Sequence, residues 1–253
     1  MCDVCGCEKP RLVVEVHSSL LHRNDTTAGH LRSHFEAAGL TTLNLMGSPG
    51  AGKTALLEAT ARALSQPGAP GHAAGASAQR PLRLAAVSGD LATENDADRL
   101  KRAGIPSLAI TTGTGCHLDA AMVHDALHHP TLAAALVGAD FFFVENVGNL
   151  VCPALFDLGQ TANVVVLSVT EGVDKPEKYP VMFRHADLVL VTKMDLLPHL
   201  PDVSVAAIEA SLARVRPNAR VLPVSARTGE GMSAFIDWLL GLRGRPSHTS
   251  VPL

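Results

Sequence analysis

The stretch Gly47-Ser48-Pro49-Gly50-Ala51-Gly52-Lys53-Thr54 satisfies every fixed position of the phosphate-binding pattern G-x-x-x-x-G-K-[ST]. Gly47, Gly50 and Gly52, with Ala51 between the last two, let the backbone wrap closely around phosphate oxygens. The free N–H groups and positive dipole end of a following helix favour the same anion. In this pattern Lys53 reaches the terminal phosphates. The Thr54 hydroxyl completes the shell of a magnesium ion that keeps several of its own waters.

A second chemistry is carried by sulfur. The chain has five cysteines, an odd number, placed as Cys2, Cys5 and Cys7 at the start and Cys116 and Cys152 far inside. A disulfide framework would look different, so these thiols read as metal ligands or as small buried residues. Residues 1–10 read Met-Cys-Asp-Val-Cys-Gly-Cys-Glu-Lys-Pro, and Pro10 is expected to stop any helix. Cleavage of Met1 would add the amine of Cys2 to the thiolates, a donor set that suits square-planar Ni(II). Zinc competes for it, and a tail that binds metals opportunistically is the alternative. Cys116 and His117 end a glycine-containing loop, and Cys152 follows another. Brought together, two thiolates and an imidazole suit zinc or nickel but fall one ligand short of a closed tetrahedral site. The alternative makes both cysteines core residues and His117 a hydrogen-bonder at a helix start.

Both chemistries need elements that position these residues. Leu40 to Met46 reads as an apolar strand before the glycine loop, and Thr54 to Leu64 places Ala55, Leu56, Ala59 and Ala63 at helical spacing after it. A preceding helix is expected to start at Asn24 or Asp25 and stop at Gly39, with Leu31, Phe35 and Ala38 on its apolar face. Leu82 to Ser88, Leu108 to Thr112, Phe141 to Val144, Val164 to Val169, Leu188 to Val191 and Val221 to Val224 read as further buried strands separated by helical stretches. The last helix carries Met232, Phe235, Ile236, Leu239 and Leu240. The alternation predicts an α/β fold with a doubly wound, mostly parallel sheet of the P-loop NTPase type. Residues 1–10 form a Cys-rich tail, 11–242 the domain with a flexible insertion at 65–81, and 243–253 a disordered tail.

In such sheets ligands lie at the carboxyl ends of the strands. Asp90 stands there, followed by Glu94, Asp96 and Asp98; Glu145 and Gly148 stand after another strand. Asp90 and Glu145 are candidate holders of magnesium, and the Gly148 N–H a candidate donor to a terminal phosphate. For Asp96 and Asp98 a charged first helical turn is an equal explanation. Thr192-Lys193-Met194-Asp195 and Ser225-Ala226 follow two later strands and read as base-recognition loops. Asp195 can accept from guanine N1 and N2, and the Lys193 stem can cover the base. His30 and His34, and His124 and His128, are each four apart on helices, a spacing that an exposed polar face explains.

Composition narrows the partners. A hydrophobic content of 47% supports a substantial core, and a formal charge of -3 with 4% aromatics argues against nucleic acid and anionic membranes. No apolar run reaches membrane-span length and the first residues are not those of a secretory leader, which makes the cytoplasm the expected location.

Taken together, Cys2-x-x-Cys5-Gly-Cys7, Gly47 to Thr54, Gly89-Asp90, Cys116-His117-Leu-Asp119, Glu145-Asn146-Val-Gly148-Asn149-Leu-Val-Cys152-Pro153 and Thr192-Lys-Met-Asp195 resemble the HypB hydrogenase-maturation GTPases. The resemblance runs from residue 2 to about 240. It implies a GTPase that binds GTP, GDP and magnesium, dimerises with nucleotide, and helps insert nickel into [NiFe]-hydrogenase. The implied partners are a nickel metallochaperone and the hydrogenase large-subunit precursor. It also implies two metal sites: nickel at Cys2, Cys5 and Cys7, and nickel or zinc at Cys116, His117 and Cys152. One departure is Thr192, where the family has Asn, which removes an amide that can bridge the base loop and the phosphate loop. A passive metal-storage protein with a degenerate nucleotide site, a urease-type accessory GTPase and a small-molecule kinase are the competing readings.

Overall fold

The computed structural model of the chain describes residues 9–65 and 81–244, with side chains from residue 19 onward. Cys2, Cys5 and Cys7, most of the insertion and all but the first two residues of the C-terminal tail lie outside the described residues. The strands are β1 (Thr41–Gly47), β2 (Leu84–Asp90), β3 (Ser107–Thr111), β4 (Phe141–Glu145), β5 (Ala162–Ser168), β6 (Leu188–Thr192) and β7 (Val221–Pro223). They form one 7-stranded sheet in the order β3-β2-β4-β1-β5-β6-β7, parallel throughout. The doubly wound expectation is met. β1 sits near the middle, with Leu45 opposite Glu145 on one side and Gly47 opposite Val166 on the other. The ends of β1, β4 and β5 therefore open on one edge.

The helices are α1 (Lys9–Ala37), α2 (Lys53–Leu64), α3 (Asn95–Arg102), α4 (Ala120–Leu127), α5 (Pro130–Leu136), α6 (Lys175–Lys178), α7 (Pro180–Arg184), α8 (Val205–Val215) and α9 (Met232–Leu240). Period-2 alternation sends Leu43, Leu45, Phe141, Phe143, Val164 and Val166 to one face, where α2 and α9 cover them. Phe142 and Val144 point the other way, against Leu31, Phe35 and Val123 of α1 and α4. Met46, Val165 and Val189 meet Met182, Ile208 and Leu212 of α7 and α8 on that second face.

Three expectations change. The first helix begins at Lys9, not at Asn24 or Asp25. Pro10 therefore sits in its first turn, where proline's missing N–H removes no helical bond. Asn24 is instead a buried tie: its Nδ2 donates to Asp157 O at 2.8 Å and its Oδ1 accepts from Ala120 N at 2.8 Å. Ala38 is exposed, and Ala28 takes its place on the apolar face. At the other end Arg243 is not loose, since its Nη2 donates to Asp140 Oδ1 at 3.0 Å. No helix among the described residues is long and apolar enough to cross a membrane.

Candidate nucleotide and metal site

The loop between β1 and α2 is shaped by glycines in conformations that side chains resist. Gly50 and Gly52 have φ of 74 and 100 degrees. Lys53 begins α2 and turns its ammonium back into the loop, donating to Gly47 O and Ser48 O at 3.2 Å each. Burial lowers its pKa, against the pull of Glu145, Asp96 and Glu171.

Thr54 Oγ1 lies 2.7 Å from Glu145 Oε1 and 2.9 Å from Asp96 Oδ1. One hydroxyl proton serves only one of these acceptors at a time. Burial pushes the Glu145 pKa up to about 7, against the Thr54 hydrogen bond and the Lys53 charge. Its Oε2 is buried and has no hydrogen-bond partner among the described residues. A hydroxyl and two carboxylates, one of which has an orphaned buried oxygen, are hard donors gathered in one place, and they fit a magnesium ion. Asp96, from the first turn of α3, stands in this cluster. Asp90 lines the same cavity of about 380 Å³ but turns its carboxylate to Thr93 Oγ1 at 2.7 Å and Ala92 N at 3.3 Å. Those bonds, the Thr93 one foremost, hold its pKa below the usual carboxylate value. Asp96 is steadied in turn by Arg99, whose Nη1 donates to it at 3.2 Å. The Nε and Nη2 of Arg99 grip Glu58 of α2 at 3.0 and 2.9 Å.

The segment after β4 closes over the phosphate loop. A side chain at Gly148 would place its Cβ 2.8 Å from the Cα, Cγ and N of Pro49, so only glycine allows this approach. Asn149 N donates to Gly47 O at 3.1 Å. On the opposite flank Ser48 Oγ donates to Glu171 Oε2 at 2.5 Å, and the other oxygen of Glu171 accepts from Ser168 N at 2.9 Å.

The base-loop residues stand at the ends of β6 and β7. Ser225 Oγ donates to Asp195 Oδ1 at 2.7 Å and fixes the carboxylate, while Ala226 follows in the same loop. Lys193 adopts a left-handed φ of 59 degrees. The bridge thought lost with Asn is present: Thr192 Oγ1 donates to Ala51 O at 2.6 Å. A hydroxyl reaches because β6 extends through Thr192 and brings its short side chain under the loop.

The thiol cluster forms where the loops after β3 and β4 meet. One ligand atom each from Cys116, His117 and Cys152 lie within 4.8 Å of one another, all three half-buried. The His117 ring stacks on Phe156 with centroids 3.8 Å apart. Burial holds the His117 pKa below its ordinary value despite Asp119, so the imidazole is neutral and able to ligate at neutral pH. Burial likewise raises the Cys152 thiol, helped by Cys116 and opposed by a hydrogen bond from Asn149. The donors suit a borderline or soft divalent cation with one position left open. His124 and His128 are exposed and have rings 4.6 Å apart, outside this cluster.

Several partners escaped sequence reasoning. Asn146 Oδ1 accepts from Leu118 N at 2.9 Å, and Asn149 Nδ2 donates to Cys116 O at 3.3 Å, so these two amides join the loops that carry the thiols. Asn146 Nδ2 also reaches Asn44 Oδ1 at 3.1 Å inside β1. Both asparagines closely follow strand-end Glu145, which marks the loop they stand in but not the partners they bond. Phe156, Glu171 and Arg99 gave no local signal.

Comparison with known proteins agrees with this geometry. The family described as CobW/HypB/UreG, nucleotide-binding domain, matches residues 41–223. The chain is 47% identical over 241 residues to "Hydrogenase maturation factor HypB" of Azotobacter chroococcum, covering 94% of this chain and 72% of that protein. It is 43% identical over 229 residues to the protein of the same name from Escherichia coli, covering 90% and 72%. Among solved structures, HypB from Helicobacter pylori in complex with nickel superposes with a TM-score of 0.80 at 35% identity, covering 91% of this chain and 100% of that one. HypB from Archaeoglobus fulgidus gives 0.74 at 34%, covering 88% and 100%. The chain belongs to the HypB hydrogenase maturation factors, within the family of CobW/HypB/UreG nucleotide-binding domains.

Proposed function

We propose that this chain is a GTPase of [NiFe]-hydrogenase maturation that takes up Ni(II) as cargo and delivers it, with hydrolysis of GTP to GDP and phosphate governing transfer. The observation that carries this reading is the cluster of Cys116, His117 and Cys152, within 4.8 Å of one another, on two loops joined by the Asn149 amide, the second of which bonds the phosphate loop through Asn149 N. A phosphate-binding GTPase has no chemical need of two thiols and an imidazole there; a carrier of a borderline cation does. The similarity to a nickel-bound structure supports nickel as that cation, and zinc is the competing occupant.

In this reading Gly47, Gly50, Ala51, Gly52, Lys53 and Gly148 hold the phosphates. Thr54 and Glu145 hold magnesium with Asp96 or Asp90, and the ion supplies charge neutralisation at the phosphates. Thr192, Lys193, Asp195, Ser225 and Ala226 select guanine, since Asp195 accepts two N–H bonds that adenine cannot offer. Cys2, Cys5 and Cys7 form a second nickel site. A nucleotide-dependent homodimer completes the open ligand position, and a metallochaperone and the hydrogenase large-subunit precursor are the partners in the cytoplasm.

Phosphate release tests the enzymatic part. The wild-type chain should hydrolyse GTP in preference to ATP, and Lys53→Ala should lower the rate at least about 100-fold by removing a charge aimed at the transferring group. A Lys53→Ala chain as active as wild type, or phosphate passed to a small-molecule acceptor instead of water, contradicts the assignment.

A further inference from the structure

Gly47 O accepts from two directions at once. Lys53 Nζ donates to it at 3.2 Å and Asn149 N at 3.1 Å, the latter as an isolated antiparallel bridge between Gly47 and Asn149. The side chain of Asn149 faces the other way. Its Nδ2 donates to Cys116 O at 3.3 Å, and its Oδ1 accepts from Val151 N at 2.8 Å, one residue before Cys152. A single half-buried residue thus bonds the first glycine of the phosphate loop by its backbone and both thiol-bearing loops by its amide.

Alternative routes between the two sites are less direct. Asn146 also joins the thiol loops, through Leu118 N, but it is 1% exposed and its other bonds run to Val147 N and, within the sheet, to Asn44 and Leu45 O, short of the phosphate loop itself. Gly148 touches Pro49 by packing alone. Glu171 grips Ser48 from the far flank, with its other oxygen on Ser168 N.

We infer that Asn149 is a positioning residue that transmits the state of the phosphate loop to the thiol cluster. Lys53 shares its acceptor, Gly47 O, with Asn149, so drawing the ammonium toward a phosphate changes the bonding of the same carbonyl that anchors Asn149. The amide then carries a shift of Asn149 to the Cys116 carbonyl and to the turn before Cys152. Because coupling is reciprocal, a cation held by Cys116 and Cys152 changes nucleotide affinity by the same factor. This inference rests on the proposed reading of the two sites as a GTP site and a nickel site.

The test uses the full chain with Cys2, Cys5 and Cys7 replaced by Ser, so that nickel titration reports on the internal cluster. Nickel affinity is measured with GDP and with a non-hydrolysable GTP analogue, in that background and with Asn149→Ala or Asn149→Asp added. The background chain should show a ratio of affinities between the two nucleotide states of about 5-fold or more. Asn149→Ala should bring that ratio to within about 2-fold of unity while the GDP-state affinity itself stays within about 3-fold. Asn149→Asp keeps the acceptor for Val151 N and deletes the amide's donor bonds to Cys116 O and to the Cys152 thiol, so it should lose the ratio with the turn intact. A background ratio that survives both substitutions overturns the role of Asn149 and leaves the two-site reading standing. A background ratio of one overturns the coupling itself.

Discussion

The phosphate loop and the thiol cluster sit on the same edge of the sheet but are built by different means. Around the phosphate loop the constraints are mostly backbone and steric: positive φ at Gly50 and Gly52, a Pro49 surface that admits only glycine at 148, and flanking bonds from Glu171 and Thr192. The thiol cluster has three side chains on two loops, a stacked Phe156, and hydrogen bonds from two asparagine amides. One region is held mainly by backbone conformation and close packing; the other depends on side chains and on amide hydrogen bonds that join two loops. That contrast suits a site that holds one ligand in a constant grip beside a site that must bind and release.

The contrast can be broken at its stiff end by Gly148→Ala. A Cβ 2.8 Å from three Pro49 atoms cannot be absorbed by a flexible side chain, because two of those atoms are backbone. The segment after β4 has to lift away from the phosphate loop. We expect GTP hydrolysis to fall about 100-fold, with nickel binding at the cluster reduced far less, because removing an aligned group from a phosphoryl-transfer site has effects of this order. Hydrolysis within about 3-fold of wild type would show that the close packing is not needed.

A smaller effect sharpens the electrostatic side of the comparison. Burial pushes the Glu145 pKa from 4.5 up to about 7, so the folded chain keeps a proton that the unfolded chain has released. In metal-free protein, stability should therefore fall as pH rises from about 4.5 to about 7 and level off above, losing at most roughly 3 kcal/mol. Glu145→Gln should remove this slope, and magnesium should offset it by favouring the ionised carboxylate. Thermal melts in EDTA across that range check the sign; a stability that rises through the window contradicts the buried-carboxylate account.

How much of this was legible in the sequence differs between the two regions for a physical reason. The phosphate loop needs specific residue types at contiguous positions, so Gly47 to Thr54 announces itself. The meeting of Cys116 with Cys152 depends on which strands are neighbours and where each one ends, so residue types alone offered the ligands and the family resemblance their grouping. A shift of strand limits explains the Asp90 and Asp96 pair. Asp90 ends β2 and caps its own turn, while Asp96 on α3 reaches Thr54. The Thr192 hydroxyl takes over a bridge to the phosphate loop because β6 brings it to Ala51 O, a proximity that no residue type encodes. The bond of Asn149 to Cys116 spans 33 residues of sequence, and no local pattern encodes it.

Nickel held by the internal cluster beside the nucleotide is the central claim. Nickel-edge X-ray absorption on the chain with Cys2, Cys5 and Cys7 replaced by Ser, loaded with one equivalent of Ni(II), reads the ligands directly. With GDP and with a GTP analogue it should show sulfur and imidazole scattering, the sulfur part reduced in Cys116→Ala and in Cys152→Ala and the imidazole part reduced in His117→Ala, and a shell that differs between the two nucleotide states. A shell of oxygen and nitrogen alone, unchanged by these substitutions and by the nucleotide, would contradict it.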